Sequence, residues 1–230
     1  MRKLPARKRM QQTVLIDLPE PGLHCFEEHL YSRGFRSIAG VDEAGRGSLA
    51  GPVVAAAVIL PQNLDLPGLN DSKQLSKSER ERFYDEIRAK ALGFGVGIVS
   101  PAEIDRINIL EASLEAMRIA VEGLSVQPDY LLIDGPFAID FNVEQRPIKK
   151  GDALSHSIAA ASVIAKVTRD RMMCDLEGEY PSFKFSVHKG YGTELHLSEL
   201  KTHGPTPLHR MTFRGVVQKE NYLQDWGRDK

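Results

Sequence analysis

The alternation of apolar runs and helical patterns along the chain predicts an α/β fold. Continuous runs of β-branched and small apolar residues are typical of buried strands. Such runs predict four strands, at residues 38–41, 53–60, 93–99 and 130–133. Because the fourth run follows a helical pattern, we expect a crossover connection and at least one parallel pair of strands.

Sequence patterns typical of helices lie between these strands and on either side of them. Ser76 and Glu79 have the spacing of a capping box, which predicts a helix directly after them. An apolar stripe predicts another helix over residues 108–123. The longest helix is expected over residues 153–177, with Asp152 where a cap would ordinarily stand. Shorter helices are expected at residues 25–31, 101–103, 193–200 and 214–226.

Composition and charge restrict the class of protein, but they identify no binding partner. The 230 residues suffice for one large domain, and the net charge of −1 gives no global sign of a polyanionic ligand. No apolar stretch is long enough to span a bilayer. Cys25 and Cys174 lie far apart and outside any metal-ligand spacing, so we expect a reducing, cytoplasmic location.

The first strand ends in a carboxylate pair that is followed by a glycine-rich turn. Asp42 and Glu43 close the strand, and Gly45, Arg46 and Gly47 come next. Glycines let the backbone approach a ligand closely and turn its N–H groups outward. Taken alone, the pattern is more typical of an ordinary turn with a solvated arginine. Its interpretation therefore depends on the other acids.

Two further acids stand at the ends of predicted elements. Asp134 follows the fourth strand, and Asp152 precedes the longest helix. Functional residues in open α/β sheets gather at the carboxyl ends of strands. Four carboxylates packed together repel one another unless cations neutralise them. Oxygen ligands select hard ions, Mg²⁺ or Mn²⁺, and two such ions suit in-line displacement at a phosphate.

Basic residues provide candidate contacts to a polyanionic backbone. They are Lys73, Lys166, Lys184 and Lys189. Lys166 lies about four helical turns beyond Asp152, so both side chains are expected on nearly the same face of one continuous helix. Four histidines show no metal-ligand spacing, which favours contacts with phosphate or solvent. These are His188, His196, His203 and His209.

Several long and ordered stretches resemble the bacterial ribonuclease HII family, the type 2 ribonucleases H. The resemblance covers about residues 37–215. The matching stretches are VDEAGRG at 41–47 with AGPV at 50–53, NDSKQL at 70–75, IDG at 133–135, KGD at 150–152, the helix around AASVIAKV at 160–167, GYGT at 190–193 and HGP at 203–205.

This resemblance implies a ribonuclease H-like mixed β-sheet flanked by helices. It divides the chain into a catalytic domain, residues 37–192, a short helical C-terminal extension, residues 193–230, and a basic N-terminal extension with a short helix, residues 1–36. The first 18 or so residues are expected to be poorly ordered. For this tail, weak contact with nucleic acid is favoured over a role as an organelle-targeting segment.

The resemblance also implies an activity and a set of site residues. The activity is endonucleolytic cleavage of the RNA strand of RNA–DNA hybrids, and cleavage 5′ of ribonucleotides embedded in duplex DNA, with two Mn²⁺ or Mg²⁺ ions. The products carry 3′-hydroxyl and 5′-phosphate ends, and the activity serves removal of ribonucleotides and RNA primers. The protein is expected to be a monomer with no membrane contact.

Each site residue has a role by resemblance. Metal binding and catalysis are assigned to Asp42, Glu43, Asp134 and Asp152. Contact with the ribonucleotide 2′-hydroxyl is assigned to Gly45, Arg46 and Gly47, and reading of the RNA–DNA junction to Tyr191. Lys73 and Lys166 are expected to bind the substrate backbone.

Two alternatives remain open. A non-catalytic module that binds hybrids should have lost at least one of the four carboxylates, and none is missing. A different two-metal hydrolase or phosphotransferase could act on small phosphates, but Tyr191 and the Gly45–Gly47 turn argue against it. Cleavage of a duplex with one embedded ribonucleotide separates all three hypotheses.

Overall fold

A mixed sheet of five strands forms the centre of the molecule. The computed structural model describes residues 25–70 and 72–216. The strand order is β3-β2-β1-β4-β5, with β1 parallel to β4, β4 parallel to β5, and the other pairs antiparallel. The strands are β1 Ile38–Ala44, β2 Val53–Ile59, β3 Gly93–Val99, β4 Tyr130–Asp134 and β5 Glu144–Ile148.

Helices cover both faces of this sheet, which confirms the predicted fold class. In the described part of the chain they are α1 Cys25–Ser32, α2 Lys77–Lys90, α3 Pro101–Ile107, α4 Ile109–Glu122, α5 His156–Glu179, α6 Phe185–His188 and α7 Glu194–His203. A 3₁₀ turn, Gly151–Ala153, precedes α5. None of the helices described is long and apolar enough to cross a membrane.

Each face of the sheet has its own core. Helix α4 packs on one face through a stripe of small residues, Ala112, Ala116 and Ala120, against inward-facing residues of β1, β2 and β4. Helices α2 and α5 pack on the opposite face, where Phe83 and Val163 are fully or almost fully buried. The α4 layer follows from the predicted apolar stripe, whereas α5 is buried on all sides from His156 to Ala165.

Helix α5 runs directly along the central strand β1. A Cβ atom at Gly40 would lie 2.0 Å from the carbonyl carbon of Ser157, so only glycine allows the helix to approach this closely. Further along, a Cβ atom at Gly45 would lie 1.9 Å from Nε of Arg169. The small residues in the middle of α5 therefore bring a helix and its polar side chains to the end of β1, where the candidate acids lie.

A smaller core joins the C-terminal part of the described chain to the turn after β1. It consists of Ala50, Met173, Phe183, Phe185 and Leu200, all buried. Backbone hydrogen bonds support this contact, because the N–H groups of Leu49 and Ala50 both donate to Gly190 O, at 2.8 and 3.2 Å. The segment that carries Tyr191 is thereby fixed beside the glycine-rich turn.

The start of the longest helix differs from the prediction. Helix α5 begins at His156, and its cap is Ser155, whose Oγ accepts the N–H of Ile158 at 3.2 Å. Asp152 lies in the 3₁₀ turn and does not cap α5. The continuous helix assumed between Asp152 and Lys166 was therefore wrong, because the chain turns at residues 154–155 before the helix begins.

Strand β5 was missed because its sequence is polar. Its residues, Glu-Gln-Arg-Pro-Ile, show no apolar run, and Pro147 within it opposes a strand assignment. The strand lies at the edge of the sheet, where proline is tolerated because one side of the backbone has no neighbour.

The other predicted helices agree with the structure where it is described, except at the start of the helix expected at 214–226. Helix α1 lies where residues 25–31 predicted it, and the capping box of Ser76 and Glu79 is present at α2. Helix α7 extends beyond the predicted end to His203. The expected poorly ordered tail, and most of the helix expected at 214–226, lie outside the described residues. Residues 214–216 are not helical.

Candidate active site

Three of the four predicted acids converge at the end of the parallel strands. Val41 of β1 pairs with Ile133 of β4, so the next residues, Asp42 and Asp134, stand side by side at the carboxyl ends of both strands. Glu43 follows on β1. One carboxylate oxygen from each of these three acids lies within 4.8 Å of the others. We call these three residues the acidic cluster.

The local environment makes the charged forms of these acids unfavourable. Burial, and repulsion from Glu43 and Asp134, raise the pKa of Asp42 well above its ordinary value, against a hydrogen bond from Ser162. Burial also raises the pKa of Glu43, although Arg46 opposes this shift. The pKa of Asp134 is raised by burial and by the nearby charge of Asp152. The carboxylates of the cluster repel one another when they are charged, and a bound cation would offset that repulsion.

One oxygen of the acidic cluster lacks a hydrogen bond. Within residues 25–70 and 72–216, no group donates to the buried Oε2 of Glu43, whereas its Oε1 is 3.3 Å from Nη1 of Arg46. A buried carboxylate oxygen without a donor is energetically unfavourable. Three convergent carboxylates and one such oxygen fit a hard divalent ion, which takes oxygen ligands.

Asp152 lies next to the acidic cluster rather than within it. Its Oδ2 is 3.3 Å from Nζ of Lys73, and its side chain is almost fully buried. The neighbouring Gly151 donates its N–H to Oδ1 of Asp134 at 2.7 Å. The 3₁₀ turn therefore orients Asp134 through its backbone and holds Asp152 against Lys73.

The glycine-rich turn is held from inside the protein by Arg210. Gly45 has φ +89°, a conformation that favours glycine. The fully buried guanidinium of Arg210 donates to Gly45 O at 2.7 Å, to Arg46 O at 3.0 Å and to Gly51 O at 2.9 Å. Within the described residues, the N–H groups of Arg46 and Gly47 make no hydrogen bond. The carbonyls of the turn are thus occupied, and two N–H groups remain available to a ligand.

A second buried arginine ties α5 to the same region. Arg169 donates to Pro52 O, Ala50 O and Lys189 O at 2.9 to 3.0 Å. Its guanidinium also lies 5.4 Å from the ring centroid of Tyr191. Arg169 therefore joins the chain before β2, helix α5 and the Tyr191 segment.

Tyr191 and Lys166 line the same cavity as the acidic cluster. Nζ of Lys166 lies 5.3 Å from the ring centroid of Tyr191 and 2.8 Å from Oδ1 of Asp170. A cavity of about 550 Å³ brings together the site residues assigned by resemblance, apart from Asp152. Its lining includes Asp42, Glu43, Gly45, Arg46, Gly47, Lys73, Asp134, Lys166 and Tyr191.

The other two predicted lysines lie away from this cavity. Lys189 borders an adjacent cavity of about 600 Å³, which also touches Lys166 and Tyr191. Nζ of Lys189 donates to Sγ of Cys174 at 2.8 Å. Lys184 donates its backbone N–H to Oε1 of Glu199 at 3.1 Å. Neither lysine lies against the acidic cluster.

The prediction for the histidines was wrong for three of the four. His188, His196 and His209 are buried and pack against one another, while His203 is exposed. Sequence spacing could not reveal this cluster, because the contacts join α6, α7 and the loop after α7.

Arg169 and Arg210 were not recognised as site residues. Both are fully buried. The signal for Arg169 is a charged residue near the end of a long run of small and apolar positions in α5. Arg210 has no such signal, since it lies in a polar loop and its partners are far away in the sequence.

Comparison with known proteins shows that this chain is similar to ribonucleases. The family model for Ribonuclease HII matches residues 39–216. A Ribonuclease HII from Geobacter sulfurreducens is 54% identical over 90% of this chain and 95% of the relative. One from Geobacter metallireducens is 55% identical over 91% and 98%. The crystal structure of the ribonuclease H2 from Pyrococcus horikoshii superposes with a TM-score of 0.66 at 27% identity, covering 84% of this chain and all of that chain.

Proposed function

The chain belongs to the ribonuclease HII family, and from this premise we propose that it cuts the 5′ side of ribonucleotides embedded in duplex DNA. As a ribonuclease H, it is an endonuclease that hydrolyses the RNA strand of RNA–DNA hybrids. The observation that carries the finer proposal is one cavity lined by the acidic cluster, the Gly45–Gly47 turn and Tyr191.

Recognition of the ribonucleotide rests on the glycine-rich turn. A protein can require a 2′-hydroxyl only by presenting polar groups that stay unpaired when the hydroxyl is absent. The N–H groups of Arg46 and Gly47 are such groups, because they make no hydrogen bond within the described residues. Arg210 holds the turn by its carbonyls, which supports donation by these N–H groups to the 2′-oxygen.

Asp42, Glu43 and Asp134 would hold divalent metal at the reacting phosphate, with Asp152 alongside. Two Mn²⁺ or Mg²⁺ ions bound there would activate water and stabilise the leaving oxygen. The unpaired Oε2 of Glu43 and the raised pKa values of the acidic cluster support this assignment.

The remaining side chains would bind and orient the substrate. Arg46 is half exposed beside Glu43, where its guanidinium can contact a phosphate oxygen near the scissile bond. Lys73 is mostly exposed and contacts Asp152, so it can bind the backbone while it holds that acid. The ring of Tyr191 offers a flat apolar surface to a sugar at the RNA–DNA junction.

Product analysis on defined duplexes tests this proposal. The substrate is an end-labelled DNA duplex with one ribonucleotide, incubated with Mn²⁺ or Mg²⁺. We expect one cut, 5′ of the ribonucleotide, with a 3′-hydroxyl that a polymerase can extend and a 5′-phosphate. An RNA–DNA hybrid serves as the positive control and an all-DNA duplex as the negative control. Cleavage of the hybrid without cleavage of the single-ribonucleotide duplex would contradict the proposal.

A further inference from the structure

Three buried histidines support the segment that carries Tyr191. His188, His196 and His209 are each no more than 4% exposed. The rings of His188 and His196 stack with centroids 4.1 Å apart, and those of His196 and His209 lie 5.2 Å apart. We call these residues the histidine cluster. It lies outside the acidic cluster, and the proposed chemistry does not use it.

The hydrogen bonds of the histidine cluster fix which ring nitrogen of His209 and of His196 carries the proton. The backbone N–H of Thr206 donates to Nδ1 of His209 at 2.9 Å, so Nε2 of the neutral His209 ring carries the proton. That proton is donated to Nε2 of His196 at 3.0 Å. Nδ1 of His196 then carries its own proton and donates to Tyr191 O at 2.9 Å, since a carbonyl only accepts.

This chain of hydrogen bonds requires neutral rings. A second proton on His196 would place two N–H groups against each other at the 3.0 Å contact with His209. A second proton on His209 would sit on Nδ1, against the N–H of Thr206 at 2.9 Å. Burial lowers the pKa of both histidines, that of His209 to about 4, so both rings are neutral at physiological pH. At physiological pH these hydrogen bonds therefore hold the carbonyl group of Tyr191 in place.

His188 holds the residue before Tyr191. Its Nδ1 accepts the N–H of Gly190 at 3.1 Å, and its Nε2 donates to Oε2 of Glu199 at 2.9 Å. Gly190 has φ +81°, and a Cβ atom there would lie 2.4 Å from Ala50 O. Both residues of the Gly190–Tyr191 segment are thus tied to histidines, and Gly190 is also tied to the turn after β1.

We propose that His196, supported by His209, is a positioning residue that fixes Tyr191 against the glycine-rich turn and so sets the preference for a single embedded ribonucleotide. This inference rests on the proposed function. The ring of Tyr191 lines the cavity that holds the acidic cluster, while His196 reaches only its backbone. A shift of that backbone moves the ring relative to Gly45–Gly47 without touching an acid.

Two matched substitutions of His196 isolate the hydrogen bond to Tyr191. His196→Asn keeps an amide donor near the position of Nδ1 and gives up the contact with His209. His196→Gln keeps a polar group near the position of Nε2 and loses the donor to Tyr191 O. Both remove the same ring, so thermal unfolding should show similar losses of stability. Tyr191→Ala and the double variant His196→Gln/Tyr191→Ala complete the set.

Cleavage rates are measured on a single-ribonucleotide duplex and on a long RNA–DNA hybrid. We expect His196→Gln to lose about three- to tenfold in kcat/KM on the first substrate, the range that one net hydrogen bond supplies, and less on the second. His196→Asn should lose less than His196→Gln. In the Tyr191→Ala background, His196→Gln should change the rate by less than about twofold, because the two residues act together.

The outcomes separate this inference from the proposed function. If the wild-type protein does not cut the single-ribonucleotide duplex, the proposed function fails. If it does, two results would show that His196 has a general structural role and that the inference is wrong. One is that His196→Gln lowers the cleavage rates on both substrates equally. The other is that His196→Gln lowers the rate by its full factor in the Tyr191→Ala background. Equal rates for His196→Asn and His196→Gln would also contradict it.

Discussion

The guanidinium of Arg210 donates to the carbonyl of Gly45 at 2.7 Å from a position with no solvent exposure. Burial and the proximity of Arg169 lower the pKa of Arg210 to about 9, so the side chain is still charged near neutral pH. A buried charge is tolerated only where hydrogen bonds compensate for lost solvation. Here backbone carbonyls do so, and the shape of the turn depends on a residue that lies about 165 positions away.

Replacement of this arginine should therefore damage the turn and the stability together. Arg210→Met removes the guanidinium donors to the carbonyls of Gly45, Arg46 and Gly51, and we expect the free energy of unfolding to fall by about 3 kcal/mol. Urea denaturation measures this. Arg88→Met, at an exposed position on α2, is the control and should stay within about 0.5 kcal/mol of wild type. Equal stabilities of the two variants would refute the role of Arg210.

Asp134 should be required for cleavage but not for folding. Asp134→Asn keeps the shape of the side chain and removes one charged oxygen from the acidic cluster. We expect cleavage of an RNA–DNA hybrid to be abolished while hybrid binding and the circular dichroism spectrum are retained. The matched control is Asp140→Asn, an exposed aspartate six residues further on. Near-normal turnover of Asp134→Asn would mean that this residue serves only the turn.

The histidine cluster should make the fold sensitive to mild acid. The pKa of His209 falls from 6.5 to about 4, first because of burial and then because of His196. Between these values the unfolded chain binds more protons than the folded one. The free energy of unfolding therefore decreases as pH falls from 6.5 toward 4, by up to about 1.4 kcal/mol per pH unit for this residue.

Substitution of His209 tests this dependence. His209→Gln cannot take up the proton, so its stability should change less steeply than that of wild type over the same pH range in urea denaturation. His203→Gln replaces an exposed histidine of the same region and should keep the wild-type slope. If His209→Gln and His203→Gln show the same slope, His209 is not a source of the acid sensitivity.

Helix α1 should be anchored to the core by one buried carboxylate. Oε1 of Glu27 accepts hydrogen bonds from Oγ of Ser155 at 2.6 Å, and from N and Oγ of Ser157 at 3.0 and 2.6 Å. These donors belong to the first turn of α5. We expect Glu27→Ala to lower the free energy of unfolding by about 2–3 kcal/mol, because it leaves buried donors unpaired.

The neighbouring residue provides the control for Glu27. Glu28 is exposed on the same helix, so Glu28→Ala should change the free energy of unfolding by less than about 0.5 kcal/mol. Thermal or urea unfolding of the two variants measures the difference. Similar stabilities would mean that α1 is held by its apolar contacts, chiefly Phe26 and Leu30, and not by Glu27.

Local signals in the sequence predicted most of the fold. The apolar runs located β1 to β4, the capping box located α2 and the apolar stripe located α4, because each of these signals lies within or next to its own element. Strand β5 was not predictable in this way, since an edge strand need not be apolar. The start of α5 was placed at Asp152 because residue type alone does not distinguish a cap at Asp152 from one at Ser155.

The residues of the candidate site were also predictable only in part. Asp42, Glu43 and Asp134 stand at strand ends, and adjacent parallel strands bring such residues together, so their convergence could be predicted. Arg210 and the histidine cluster could not. Their partners are backbone carbonyls and rings from distant segments, and no local pattern encodes a contact that only packing creates.

Recognition of a single 2′-hydroxyl is tested most directly by one pair of duplexes. They are identical except that one nucleotide carries either a 2′-hydroxyl or a 2′-hydrogen, and cleavage is followed in a single turnover with excess protein. We expect a cut 5′ of the ribonucleotide, and a rate at least on the order of a thousandfold lower for the deoxyribonucleotide, since polar groups built for the hydroxyl would be left unpaired. Cleavage of both duplexes at rates within about tenfold of each other would contradict recognition of the 2′-hydroxyl by the Gly45–Gly47 turn.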